Sequence, residues 1–105
     1  MIMRIWRGIT SREQADAYLE HLQQTALTAL KGYAGLRGGW VLRRMQGEQC
    51  EFQMLSLWES EKAVRAYAGD RPERAVYYDE DDKYLLEMEP LVRLYEVADV
   101  LAVPD

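Results

Sequence analysis

A single cysteine, a single histidine and no asparagine leave this 105-residue sequence short of the residues that usually announce chemistry. One cysteine, Cys50, excludes an internal disulfide and a thiolate metal cluster, and it stands beside a polar turn as an incidental thiol. His21 is the only ordinary candidate for a base that changes charge near neutral pH. Clustered positive charge is missing too: 13 Lys and Arg against 18 Asp and Glu give a net charge of −5. That balance argues against nucleic acid and against docking on anionic membranes as partners. No apolar stretch is long enough to span a bilayer, and Met1-Ile2-Met3-Arg4-Ile5-Trp6-Arg7 lacks the apolar run and cleavage site of a signal peptide, so a cytoplasmic location is expected. Phosphate loop, nucleophile elbow and zinc motif are absent. The run Asp79-Glu80-Asp81-Asp82 lacks the spaced ligands and turn glycine of a calcium loop; it is expected to face water, and no metal site is expected.

What is present fits one soluble domain over residues 1–105 with a modest core, 49% of its residues hydrophobic and 30% charged. Met3 to Ile9 is rich in β-formers and predicts a first strand. Thr10 or Ser11 then caps a helix, with Glu13 and Gln14 placed as in a capping box. On that helix Ala15, Tyr18, Leu19, Leu22, Ala26 and Ala29 share one face, with His21 at its border. Leu36 to Met45 predicts a second strand, with a bulge or bend at Gly38-Gly39. The polar turn Gln46-Gly47-Glu48-Gln49 leads into a third strand, Glu51 to Trp58. Ser60 caps a second helix whose inner face is Ala63, Val64 and Tyr67, ending near Gly69. Pro72 is expected to start a short helical turn through Tyr77, Leu85-Leu86 to pin the segment back, and Leu91 to Val97 to form a last strand before a short apolar tail.

The order β-α-β-β-α-β is the ferredoxin-like plan, an α+β fold with a four-stranded antiparallel sheet and both helices on one face. Its strands, however, are apolar on both faces. Phe52, Met54 and Trp58 oppose Leu55 and Leu57, while Val92 and Leu94 oppose Tyr95 and Val97. Helices cover one face only, so a second copy of the chain is the expected cover of the other, making a homodimer.

Several stretches together carry a resemblance: Met1-Ile2 with Arg4 and Trp6, Gly35 to Arg44, Leu57-Trp58-Glu59-Ser60 with Ala63, Ala66-Tyr67-Ala68-Gly69, Tyr77 to Asp82, Glu89-Pro90 and Tyr95-Glu96-Val97. The sequence resembles the antibiotic biosynthesis monooxygenase superfamily of dimeric α+β barrels, over nearly its whole length. The resemblance implies a cofactor-independent monooxygenase acting on a small planar aromatic or polyketide-like compound in a pocket beside Trp58, with no cofactor. Its quinone-forming oxygenases pair an Asn with a Trp, and its haem-degrading members add an iron-ligating histidine from the second half of the chain, near where Ala75 to Tyr78 stand. Trp58 fits the tryptophan of both patterns, yet the sequence has no asparagine and its one histidine lies on the first helix. A non-catalytic small-ligand-binding dimer on the same scaffold is therefore the alternative, with a haem-binding protein behind it.

The candidate site follows from these residues. Trp58 would form a pocket wall stacking on a planar ligand, or else pack in the core at a strand end. His21 would be the catalytic base if it reached the cleft; otherwise it is an edge histidine. Arg4 and Arg7 point to opposite sides of the sheet, and the inward one would be a costly buried charge unless paired or facing an anion. Related sequences often carry histidine where Arg7 stands, which would make Arg7 the residue that holds a carboxylate or phenolate; the alternative is an ion pair with Glu96 or another acid. Tyr67 and Tyr77 complete the substrate-binding set, with one of Tyr77 and Tyr78 expected to point inward from a lid-like segment.

Overall fold

Residues 1–101 are described by a computed structural model, and the last residues of the apolar tail, 102–105, lie outside them. Strand β1 (Ile2–Ser11) is followed by helices α1 (Ala15–Gln24) and α2 (Ala26–Leu30). Strands β2 (Leu36–Gln46) and β3 (Gln49–Trp58) come next, then α3 (Glu61–Ala68), and finally β4 (Leu85–Met88) and β5 (Arg93–Glu96). The sheet is antiparallel in the order β2-β3-β1-β4, with β5 also on β1. That is the ferredoxin-like arrangement, with its fourth lane filled by two short strands instead of one. β4 pairs with Gly8 to Thr10 and β5 with Ile2 to Ile5. Pro90 lies between them, and without an N–H it cannot continue a ladder. The chain bows outward there and bonds instead to the 73–75 segment, Ala75 N–H to Pro90 O and Val92 N–H to Glu73 O. No helix among these residues is long and apolar enough to cross a membrane.

Local chemistry explains most of the boundaries. Gly47 has φ +58° while Glu48 keeps a negative φ, so the β2–β3 hairpin closes with glycine first, the arrangement that matches strand twist. The register shifts between Leu36 and Gly38, the bulge expected at the glycine pair. The Ser60 hydroxyl accepts from Ala63 N–H at 3.1 Å to cap α3, and Gly69 ends it at φ +86°. At the first helix, β1 runs on through Ser11, whose hydroxyl accepts from Gln14 N–H at 3.2 Å before α1 begins. The expected single helix breaks at Thr25, where the hydroxyl donates to His21 O and the backbone leaves helical geometry.

β1 and β3 set the layers by parity. Arg4, Trp6, Cys50, Phe52, Ser56 and Trp58 face the helices and are buried. Ala15, Tyr18, Leu22 and Ala26 of α1 and α2, and Val64 of α3, pack down on them in two clusters. The outer face carries Met3, Ile5, Leu55 and Leu57, flanked by Trp40, Leu42 and Tyr95, each about half exposed at 46%, 46% and 52%.

Candidate functional site

The chemistry gathers where β1 meets the segment 72–84. Instead of a helical turn to Tyr77, Pro72 begins one reverse turn, after which Arg74 bridges to Leu91 and the chain continues without regular structure to Tyr78. Tyr77 is turned to solvent, 49% exposed, while Tyr78 packs against the core. The Tyr77 placement corrects the expectation that it lines the pocket. The acidic run does not all face water either. Asp81 is buried at 9% exposure, with one carboxylate oxygen 2.7 Å from His21 Nε2 and the other accepting from Tyr78 N–H at 2.8 Å. Glu80 takes a left-handed φ of 73° just before it, so the chain turns sharply and drives Asp81 inward. The lone histidine is thereby a buried partner of a carboxylate.

Trp58 is fully buried, its indole N–H donating to Ser56 Oγ at 2.8 Å. Tyr67 stacks on it with ring centroids 5.5 Å apart, and Tyr33 meets both rings edge-on. The tryptophan is thus a floor beneath Tyr67. The wall itself is Tyr67, whose hydroxyl lies 2.6 Å from that of Tyr78. Burial pushes the Tyr67 and Tyr18 phenols far above their ordinary range, and it raises Tyr78 as well. At neutral pH all three are neutral phenols.

The inward arginine is Arg4, only 6% exposed. It donates to Pro72 O at 3.3 Å and Arg74 O at 2.7 Å, and its guanidinium sits 5.6 Å above the centre of the Tyr67 ring. Arg7 is on the opposite face of the sheet, paired with Glu51, which holds its proton more tightly than usual. An arginine on the outer face cannot reach a ligand beside Tyr67, so Arg7 leaves the candidate site and Arg4 takes its place. The parity of β1 carried that information, since Arg4 shares a face with buried Trp6.

Arg4, Trp6, Tyr18, Tyr67, Tyr78 and Asp81 line a cavity of about 20 Å³. That is room for one water rather than for a drug-sized ring, which needs several hundred Å³. Wider depressions exist, of about 350 Å³ on the outer face at Leu42, Arg44 and Glu51, about 250 Å³ beside Leu27, Leu30 and Leu36, and about 510 Å³ at Arg74, Tyr77 and Leu91, but none of them brings buried polar groups together. His21 does not line the small cavity; Asp81 does, with His21 behind it. Among the described residues no cluster of His, Cys, Asp or Glu could hold a metal ion.

This fold, an α+β sheet backed by helices on one face, is that of the antibiotic biosynthesis monooxygenase-type proteins. A candidate antibiotic biosynthesis monooxygenase from Bacillus cereus superposes with a TM-score of 0.69 at 14% identity, over 100% of this chain and 98% of its own. The haem-degrader MhuD of Mycobacterium tuberculosis, solved with two haems in its active site, gives 0.62 at 20% identity over 97% and 100%. An uncharacterised NIPSNAP domain protein from Burkholderia xenovorans gives 0.58 at 17% over the whole of both chains. No protein-family model and no curated protein matches the sequence. At these identities the likeness is one of fold. The residues here do not fit haem: the only imidazole in the sequence is buried with its Nε2 on Asp81.

Proposed function

We propose that the protein is a homodimer that binds a planar aromatic or polyketide-like compound between the inner face of its sheet and the 72–84 segment, and oxidises it without a cofactor. The observation that carries this reading is the buried His21–Asp81 pair, whose carboxylate opens onto a cleft walled by Trp6, Tyr67 and Tyr78. A carboxylate on a cleft wall, backed by an imidazole, is suited to taking a proton from an acidic carbon or hydroxyl. Dioxygen would then take electrons from the substrate anion. For a methylene flanked by aromatic rings, one oxygen atom becomes the new carbonyl, and the other leaves as water with the two hydrogens lost from carbon. The protein's part is to bind, deprotonate and exclude water. Entry requires Tyr78 and the residues before it to swing away from Tyr67, since the closed cavity is too small.

Asp81, with His21 positioning it, replaces His21 as the group that meets substrate. The test is oxygen uptake with an anthrone carboxylic acid as probe. Asp81→Asn is expected to lower turnover by about 10²–10⁴-fold, the usual worth of a general base. Uptake no greater than in buffer, or an unchanged rate in the variant, would refute the enzyme reading. Non-catalytic binding on the same scaffold is favoured by the absence of any asparagine; the same probe bound without oxygen uptake would establish it. The dimer is supported by the uncovered outer face of Met3, Ile5, Trp40, Leu55, Leu57 and Tyr95, a surface of the kind that monomers seldom leave open.

A further inference from the structure

We infer that the ligand of this cleft is anionic, a planar aromatic bearing a carboxylate or an ionised hydroxyl, and that Arg4 receives its charge. The inference rests on the cleft proposed above and adds the chemical class of what enters it. Arg4 is the most deeply buried arginine among the described residues, yet no carboxylate lies within ion-pairing distance of it. Arg7, Arg37, Arg43, Arg44, Arg65, Lys83 and Arg93 all have acidic partners, and all of them are more exposed. The carbonyls of Pro72 and Arg74 and the face of Tyr67 satisfy donors on Arg4, but none of them carries a net charge. A buried cation without a counter-charge is costly. Burial is the main influence on this guanidinium, loosening its proton.

The surroundings suit an anion in one orientation. Once Tyr78 swings away to admit a ligand, the Tyr67 hydroxyl loses the partner it has at 2.6 Å and is free to donate to the ligand beside Arg4. Asp81 on the same wall would repel a carboxylate and accept from a hydroxyl. The ligand therefore places its charged oxygen at Arg4 and a protonated group at Asp81, which excludes neutral hydrocarbons and esters of the same shape. Were Arg4 only a clamp on the 72–74 turn, binding would be indifferent to ligand charge.

The test is titration of the full-length protein with hydroxynaphthoate and with its methyl ester, followed by quenching of tryptophan fluorescence. The wild type is expected to prefer the acid by about tenfold or more, the scale of one charge-assisted hydrogen bond in a desolvated site. Arg4→Met should erase the preference and Arg4→Lys should keep part of it. Should Arg4→Met fail to fold, para-nitrophenol bound to the wild type reads the same point, because its anion absorbs at longer wavelength and binding should raise the anionic fraction. Equal affinity for acid and ester, or para-nitrophenol bound in its neutral form, overturns the anion while leaving the cleft intact. Binding of none of these probes overturns both.

Discussion

Replacing Asp81 with alanine should destabilise the protein far more than any other change in the run Asp79-Glu80-Asp81-Asp82. Its two carboxylate oxygens satisfy His21 Nε2 at 2.7 Å and Tyr78 N–H at 2.8 Å. Alanine leaves both without a partner in a poorly hydrated place, and an orphaned buried polar group costs about 1–3 kcal/mol. The sum, about 2–5 kcal/mol allowing for partial access of water, is a large share of the about 5–15 kcal/mol that holds a domain of this size together. For roughly 100 residues it should lower Tm by about 10 °C or more. Asp81→Asn is the informative companion. Its amide oxygen still accepts from Tyr78 N–H, and its NH2 can donate to His21 Nε2 provided the imidazole is neutral with its proton on Nδ1. The asparagine variant should therefore recover most of the loss. Urea and thermal unfolding at one fixed protein concentration measure all of this, and Asp82→Ala serves as the exposed control. If Asp81→Ala and Asp82→Ala both fall within about 0.5 kcal/mol of the parent, as surface changes do, the acidic run is solvated and the His21–Asp81 pair is not a feature of the folded protein.

Alkaline titration followed by tyrosinate absorbance should find Tyr18, Tyr67 and Tyr78 ionising late, because their burial favours the neutral phenol. Because their folded values are raised, the stability they contribute is whole below the unfolded value and is lost as pH climbs toward the folded ones; simultaneous ionisation of every tyrosine in the folded protein would contradict this. Glu51 has the opposite sign: Arg7 and Arg44 hold its carboxyl below the usual range, so its contribution is present at neutral pH and fades in acid, and Glu51→Gln should flatten the acid limb of the stability curve by under about 1 kcal/mol. Leu57→Asp on the outer face should convert the proposed dimer to monomer in sedimentation while leaving the far-ultraviolet spectrum unchanged; a wild type that sediments as a monomer, or a dimer unaffected by the change, contradicts the proposed seam. Gly35→Ala would drive a methyl into the side chain of Ala63 on α3 and cost about 1–3 kcal/mol in urea unfolding, whereas Gly47→Ala meets no atom and is penalised only by its positive φ.

Local rules made much of this fold legible. Ser60 before an amphipathic run, glycine at the head of a two-residue hairpin and alternation along Glu51 to Trp58 each act over a few residues, and each appears where those rules put it. The pairing of edge strands is set across the sheet, so the sequence pattern of Leu91 to Val97 could not reveal that Pro90 splits the fourth lane or that Leu85–Met88 supplies its other half. Thr25 looked like one more helical residue because nothing in its neighbours announces a side chain bonding back to His21 O.

The site divides along the same line. Sequence alone determined that an arginine would lie inside the sheet, that Trp58 would end a strand against a capped helix, and that one of two adjacent tyrosines would turn inward, because strand parity and capping are properties of neighbours in the chain. Tertiary structure decided which residues meet. His21 and Asp81 are 60 positions apart and Arg4 is 70 from the carbonyl it holds, separations across which no local periodicity carries information. Burial is likewise a property of the assembled layers: only once segment 72–84 is laid over β1 does one carboxylate of a hydrophilic run lose its water, and one arginine of the first strand become a cation in need of an anion.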